Sequence, residues 1–420
     1  MEVLHLCPRF FPAISGAEFY MQRISEELQK SRKVNIAFHC SNAIDFAGLR
    51  MSTKKNLPES SFCWHNLFTV HRHAVNPQNG ESLLNWYSEK LSTIFKHTKE
   101  NQIIPFLTNG PSIPTFFSSI ERSKYSIIHA TFFPYQTILD GLICGRLQNV
   151  PSVCTPFFHF ANPRYQKIEE ISLLNCYSKI IACTQMEKKE LSNRGITSNK
   201  IEVIPMGVDA QKFELAEKEG FLESYHIEKN RPIVLFCGYK NFEKGALTLL
   251  HSLPLVKAHI NNVLFCFIGP STTGFNYELS RLKKQGLRDN ILNIDPSNLG
   301  GYFDKKKLGA FKSCSLYAMP SRTDAYGISF LEAWASGKPV IGANIGATPE
   351  IIRDGIDGYL VDFDNPIALA EKIQYLLQNP ELTITLGKNG QLKVREHNNW
   401  KAISQKIFEI YEVLVNEKNS

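Results

Sequence analysis

Short apolar runs alternate with longer amphipathic or polar stretches along most of the chain, and that rhythm restricts the folds open to it. In the first half the runs are 3–7, 34–39, 126–130, 152–155 and 179–184, with a helix predicted near 17–30. The rhythm restarts after Pro205, at 233–237, 263–268, 291–294, 316–319, 340–343 and 359–361. Strands that read as unbroken apolar runs are buried on both faces, and strands alternating with helices build parallel sheets covered on both sides. At 420 residues the chain exceeds what one core usually holds. The expected class is therefore α/β, with two doubly wound, Rossmann-like domains. Their boundary is expected near 205–230, where 209–228 is polar and charge-rich enough for a linker and a surface helix. This divides the chain into 1–207 and 208–397, followed by 398–420, within which 400–415 reads as an amphipathic helix.

Composition removes several classes of function. A hydrophobic share of 43% and a charged share of 21% are ordinary for a globular protein. No stretch approaches the roughly 20 apolar residues needed to span a bilayer, and the first run begins at Val3, which leaves no room for a signal peptide. Ten cysteines are present without a Cys-x-x-Cys pair, and Cys7, Cys183, Cys237 and Cys266 sit in apolar runs. They are expected to be reduced core thiols of an intracellular protein. Basic residues outnumber acidic ones by 22 to 17 in 1–210 and by 25 to 23 in the remainder. This mild tilt fits a solvated surface, an anionic acceptor or loose docking on anionic lipid. No basic-aromatic motif supports nucleic-acid binding, and no internal repeat or low-complexity tract appears. Residues 44–122 break the rhythm; they carry Lys54-Lys55, Phe62, Trp64, Phe68, Trp86 and Tyr87.

The stretch Asp324-Ala-Tyr-Gly-Ile-Ser-Phe-Leu-Glu332 places two carboxylates eight positions apart across a strand-to-helix turn. The apolar run before it ends at Pro320 and Ser321; the helical spacing after it ends at Gly337. In such a unit a ligand sits outside the carboxyl ends of the strands, and the first helix amides, here Gly327 and Ile328 beside Tyr326, face an anion. Glu332, one helical turn after Ile328, can accept from hydroxyls held near the helix start. Lys244 follows the 233–237 run and precedes Gly245, where a second helix begins, so an ammonium and a helix dipole would meet one anion.

This pattern resembles the Glu-x7-Glu motif of the retaining glycosyltransferases of family 4, which move a sugar from a nucleoside diphosphate onto an acceptor. The resemblance extends over most of the chain outside 44–122. It includes Pro12-Ala-Ile-Ser-Gly16-Ala-Glu18, Ile204-Pro-Met-Gly207-Val-Asp209, Phe236-Cys-Gly238, Glu243-Lys244-Gly245, Gly346-Ala-Thr-Pro-Glu350 and Asp354-Gly355-Ile-Asp-Gly358. It implies a GT-B fold whose two domains face across a cleft, the N-terminal one binding the acceptor and the C-terminal one the nucleotide-sugar. The helix in 398–420 would pack back on the N-terminal domain, and 44–122 would shape acceptor choice. It implies a hexosyltransferase of cell-surface polysaccharide or lipopolysaccharide assembly, cytoplasmic or peripheral on the membrane, with a glycan or lipid-linked acceptor. No cofactor or metal is implied, the nucleotide-sugar being a substrate.

By the same resemblance Lys244, Asp324 and His159 are the catalytic candidates. Gly16, Gly238, Lys240, Tyr326, Gly327, Ile328 and Glu332 are the donor-binding ones. His159 stands in Thr155-Pro-Phe-Phe-His159, just past a strand end, and is expected to hydrogen-bond rather than abstract a proton. Three positions depart from the family pattern. Tyr239 stands where arginine is usual, which makes Lys240 the substitute cation, although lysine offers a point charge and no fork. Asp324 replaces the first Glu and is one methylene shorter; Ala347 replaces the second glycine of a frequent pair. Retention in such enzymes uses no evident protein nucleophile, so catalysis rests on stabilising the leaving diphosphate and positioning the acceptor. Glycoside hydrolysis would need two carboxylates flanking the bond, a role that the loop-and-helix spacing denies to Asp324 and Glu332. An epimerase of the same architecture, or a non-catalytic subunit marked by Tyr239 and Asp324, are the competing readings. Donor isomerised without acceptor would identify the first, and failure of every nucleoside diphosphate to bind would identify the second.

Overall fold

The computed structural model describes residues 1–420 apart from 14, 32, 52, 54, 77–80, 93–99, 122, 323 and 420; Ile14 of the glycine loop and Lys54 thus lie outside the described residues. The chain forms two units, Met1–Pro205 with Trp400–Ser420, and Met206–Asn399. The last helix therefore belongs with the first unit.

The first unit contains β1 (Glu2–Cys7), β2 (Asn35–Ser41), β3 (Ser60–Trp64), β4 (Phe68–His73), β5 (Ile127–Thr131), β6 (Ser152–Thr155), β7 (Lys179–Ala182) and β8 (Ile201–Val203). Their order is β3-β4-β2-β1-β5-β6-β7-β8. The ladder is parallel, with Val3 level with Ile36 and Ile127, except that β3 runs antiparallel to β4. The rhythm lost between 44 and 122 is therefore an edge hairpin followed by the helices Glu81–Ser92, Glu100–Asn109 and Thr115–Ile120. Trp64 there is a packing residue: its ring lies 4.9 Å from Phe10, and its indole N–H donates to Glu26 Oε1 at 2.8 Å.

A buried polar chain fastens the final helix, Trp400–Asn419, to this sheet. His5 Nδ1 lies 2.7 Å from Ser25 Oγ and His5 Nε2 3.1 Å from Tyr411 Oη. His129 Nδ1 lies 2.6 Å from the same Tyr411 oxygen and Nε2 2.8 Å from Thr155 Oγ1. Ser25 already donates to Met21 O, so one proton arrangement satisfies every member. Thr155 donates to His129, His129 to Tyr411, Tyr411 to His5, and His5 to Ser25, with both imidazoles neutral.

The second unit contains β9 (Ile233–Cys237), β10 (Leu264–Ile268), β11 (Ile291–Ile294), β12 (Leu316–Met319), β13 (Val340–Ala343) and β14 (Gly358–Val361). All neighbours are parallel, in the order β11-β10-β9-β12-β13-β14. The direction of winding reverses between β9 and β12, the point at which doubly wound sheets open a crevice at the strands' carboxyl ends. All ten cysteines are free thiols, most of them buried. Among the described residues no helix is long and apolar enough to cross a membrane.

Candidate functional site

The reversal between β9 and β12 brings two strand-to-helix loops together. After β9, Asn241 Oδ1 accepts the Lys244 amide at 2.9 Å and Asn241 O accepts the Ala246 amide at 3.1 Å, winding the loop into the helix Ala246–Lys257. Gly245 caps that helix with φ 73°, and a side chain there would place its Cβ 2.2 Å from Pro320 O. Only glycine permits this approach of the loop after β9 to the loop after β12. The two loops are further laced by Arg322, whose guanidinium forks onto the Glu243 carboxylate while its amide donates to Glu243 O at 2.8 Å. Within this frame the Lys244 ammonium is ion-paired with Asp324 Oδ1, and Asp324 Oδ2 accepts from the buried Ser321 hydroxyl at 2.6 Å. The helix Ile328–Ala335 starts from Gly327 immediately beyond. An ammonium and two helix N-termini thus converge at one strand-end crevice, which is the electrostatic complement of a diphosphate.

Glu332 lies one turn into that second helix, buried, with Oε1 accepting from Lys307 Nζ at 2.7 Å and the Tyr302 hydroxyl bonded to the same carboxylate. Lys307 was not anticipated from the sequence. It is distant in sequence from Glu332 and lies in a Lys305-Lys306-Lys307 run that reads as solvated surface. Its ammonium is buried among the rings of Tyr302, Phe213 and Phe311 at 3.7, 5.7 and 5.8 Å. Lys307→Met would leave the buried carboxylate uncompensated, and breaking such a pair costs about 3–5 kcal/mol. Chemical denaturation of the variant should show that loss; a loss below about 1 kcal/mol would mean that the pair is solvated.

Lys240 is the clearest correction. It was expected beside Lys244 as a second cation for the diphosphate. Instead the backbone bridge to Ser271 turns its side chain along the sheet, and its fully buried ammonium donates to Asn293 Oδ1 at 2.6 Å and to Ile294 O at 3.2 Å. Burial pulls it down to about 8, against an opposing pull from Asp295. Lys240 therefore ties the loop after β9 to β11 and shows no surface to a ligand. Tyr326 is half-buried, its hydroxyl accepting from Asn398 Nδ2 at 3.0 Å, and the same amide nitrogen donates to Met206 O at 2.7 Å. Gly238 donates to Ile268 O, and a Cβ on it would meet nothing closer than 3.7 Å. Close approach is located instead at the neighbouring Gly269, where a Cβ would lie 2.0 Å from Gly238 O.

Other motif residues are structural. Asp357 is buried between Arg353 Nε at 2.6 Å and Lys393 Nζ at 2.8 Å, and Asp354 Oδ1 accepts the Leu360 amide as β14 begins. An Asp-x-Asp pair, Asp362-Phe363-Asp364, follows β14, with Asp364 Oδ1 accepting from Thr248 at 3.1 Å.

In the first unit Gly16 opens the helix Gly16–Lys30 after β1, half-buried, and His159 lies in the turn after β6, its ring 5.4 Å from Tyr165 and 6.1 Å from Phe132. The turn is held by Glu187, which the sequence reading missed. Its buried carboxylate accepts the Phe158 amide at 2.7 Å and the Cys183 amide at 2.6 Å. The signal was legible: Thr184 caps the helix Gln185–Asn193 by accepting from the Glu187 amide, the capping-box spacing.

Comparison with known proteins adds independent findings. The family profile described as Glycosyl transferases group 1 matches residues 217–393, and that described as Glycosyltransferase Family 4 matches 96–212. An uncharacterized glycosyltransferase of Methanocaldococcus jannaschii is 37% identical over 335 residues, covering 76% of this chain and 83% of its own. A D-inositol 3-phosphate glycosyltransferase of Segniliparus rotundus is 25% identical over 253 residues, 59% of this chain; the match spans only 55% of that relative's length. Among solved structures, Anabaena HepE in complex with UDP-glucose superposes with a TM-score of 0.72 at 17% identity, covering 99% of this chain and 100% of its own. That likeness carries the fold.

Proposed function

The chain belongs to glycosyltransferase family 4 with the GT-B fold, and from that premise we propose that it transfers a hexose from a nucleoside diphosphate sugar to a glycan or lipid-linked acceptor, with retention of anomeric configuration. The observation that carries this reading is the Lys244 ammonium seated with Asp324 between two helix starts at the β9/β12 reversal. On this reading the diphosphate takes Lys244 and the amides of Gly327 and Ile328, the donor sugar takes Asp324, and the ribose takes Glu332. The departing diphosphate oxygen accepts the proton of the acceptor hydroxyl, so the protein stabilises charge and positions groups without supplying a nucleophile. Acceptor handling falls to the first unit, and Gly16 and His159, at the carboxyl ends of its strands, keep the roles that the family resemblance implies, Gly16 as a donor-binding residue and His159 as a hydrogen-bonding catalytic one. Use in cell-surface polysaccharide or lipopolysaccharide assembly, with peripheral attachment to a membrane, completes the proposal.

Thermal melting with UDP, GDP, ADP, CDP and dTDP in turn, each with magnesium and again with chelator, tests it. A ligand at 100 times its dissociation constant adds about 2.7 kcal/mol and should raise the melting temperature by several degrees. One nucleotide is expected to do so equally in both conditions, and transfer is expected to persist in chelator. UDP is the first choice, since the Anabaena HepE structure holds UDP-glucose. A shift that vanishes with chelator would put a metal in the donor site; no shift with any nucleotide would overturn the donor reading.

A further inference from the structure

The Glu332 carboxylate, which the proposed function assigns to the ribose, already has two side-chain partners. It is 1% exposed, so an incoming hydroxyl can reach it only by taking the place of a present partner. One partner is the Lys307 ammonium, buried among three aromatic rings and supplying the charge that keeps an ionised carboxylate tolerable there. Its removal would strand two buried charges. The other is the Tyr302 hydroxyl, a neutral donor on a half-buried side chain. Tyr302 directly follows Gly300-Gly301, and Gly301 sits at φ 138°, a backbone conformation that side-chain-bearing residues rarely adopt. Exchanging one O–H donor for another conserves the number of hydrogen bonds at the carboxylate, whereas displacing Lys307 does not.

From these contacts we infer that Tyr302 is a specificity-determining residue of the donor site, its hydroxyl standing in for a ribose hydroxyl on Glu332 until the nucleotide replaces it. The inference rests on the donor reading and adds a consequence to it. A ligand with ribose hydroxyls exchanges for Tyr302, while a ligand without them leaves the Tyr302–Glu332 bond in place and gains nothing from Glu332. Competition from Tyr302 thus lowers the preference for a ribose-bearing ligand by about one hydrogen bond, and that is how the residue sets the specificity of the site.

Calorimetric titration of the full-length wild type and of Tyr302→Phe with UDP and with 2′,3′-dideoxyuridine diphosphate tests this. Tyr302→Phe keeps the ring over Lys307 and the Lys307–Glu332 pair, so the fold is preserved, which a melting curve verifies. The variant is expected to bind UDP about fivefold tighter, the equivalent of one ordinary hydrogen bond no longer displaced, and to bind the dideoxy analogue as the wild type does. Equal tightening of both ligands would overturn the inference by making the Tyr302 ring a steric cover. Unchanged or weaker UDP binding would overturn it by making the hydroxyl a bystander or a ligand contact. Should the wild type bind none of the five nucleoside diphosphates, the donor reading itself falls, and this inference with it.

Discussion

Lys244→Ala is expected to lower kcat for sugar transfer by between about 10² and 10³, the equivalent of about 2.7–4 kcal/mol for the loss of one preorganised donor to a developing charge. The same substitution should abolish the melting shift produced by the cognate nucleoside diphosphate, because the ammonium supplies the positive side chain at that crevice while the helix starts supply only partial charge. The partner left behind, Asp324, keeps its hydrogen bond from Ser321, so the fold should tolerate the change. Arg322→Ala offers a contrast: it unlaces the loops after β9 and β12 by removing the fork on Glu243, and its effect should appear in stability more than in nucleotide affinity. Steady-state kinetics beside melting curves separates the two. A Lys244→Ala enzyme with wild-type kcat would remove the diphosphate from this crevice.

Acidification is expected to unfold the first unit well before most carboxylates protonate. His5 and His129 are held neutral by the hydrogen-bonded chain through Tyr411, and burial pushes His5 down to about 3 and His129 well below its usual value. In the edge sheet His73 donates through Nδ1 to Thr115, which itself donates to Glu59, and its Nε2 accepts from His39 at 2.9 Å. Burial lowers His73 to about 4 and His39 well below the ordinary range, where neighbouring imidazoles add to the effect. The sign follows from proton counting. The unfolded chain takes up protons on these histidines near pH 6.5 and the folded one does not, so their stability is fully present above about pH 6.5 and lost as pH falls towards 4. Each contributes about 1.4 kcal/mol per pH unit within that window, and four acting together would exceed any single substitution discussed above. Denaturant melts between pH 7.5 and 4.5 measure the slope. A flat profile would mean that the four imidazoles are hydrated or already charged.

The parts of the fold that were legible in the sequence are those whose local pattern is set by burial on both faces. β9, β10 and β12 read as unbroken apolar runs because helices cover both sides of the second sheet, and the same logic exposed β1, β5 and β6. β3 and β4 escaped notice for the opposite reason. Ser60-Ser-Phe-Cys-Trp64 alternates between exposed and half-buried positions at a sheet edge, and Phe68-Thr-Val-His-Arg-His73 carries polar side chains satisfied by neighbours. At the candidate site, the eight-residue spacing of Asp324 and Glu332 and the Lys244-Gly245 step located the crevice. Lys240 shows where that reasoning stopped: four residues from Lys244 in one loop, it points elsewhere because a backbone bridge to Ser271 carries it to Asn293.

The chain's own sequence determined the order of strands and helices, the restart after Pro205 and the glycines that let two loops meet, because these depend on short-range periodicity and backbone freedom. Which charge meets which was decided only by the tertiary structure. Glu332 finds Lys307, Lys244 finds Asp324, and Tyr411 reaches His5 and His129 from the far end of the chain. Such pairings depend on strand order and on which side chains are enclosed together, and an ion pair or buried hydrogen bond gains its strength from an enclosure that linear spacing does not encode.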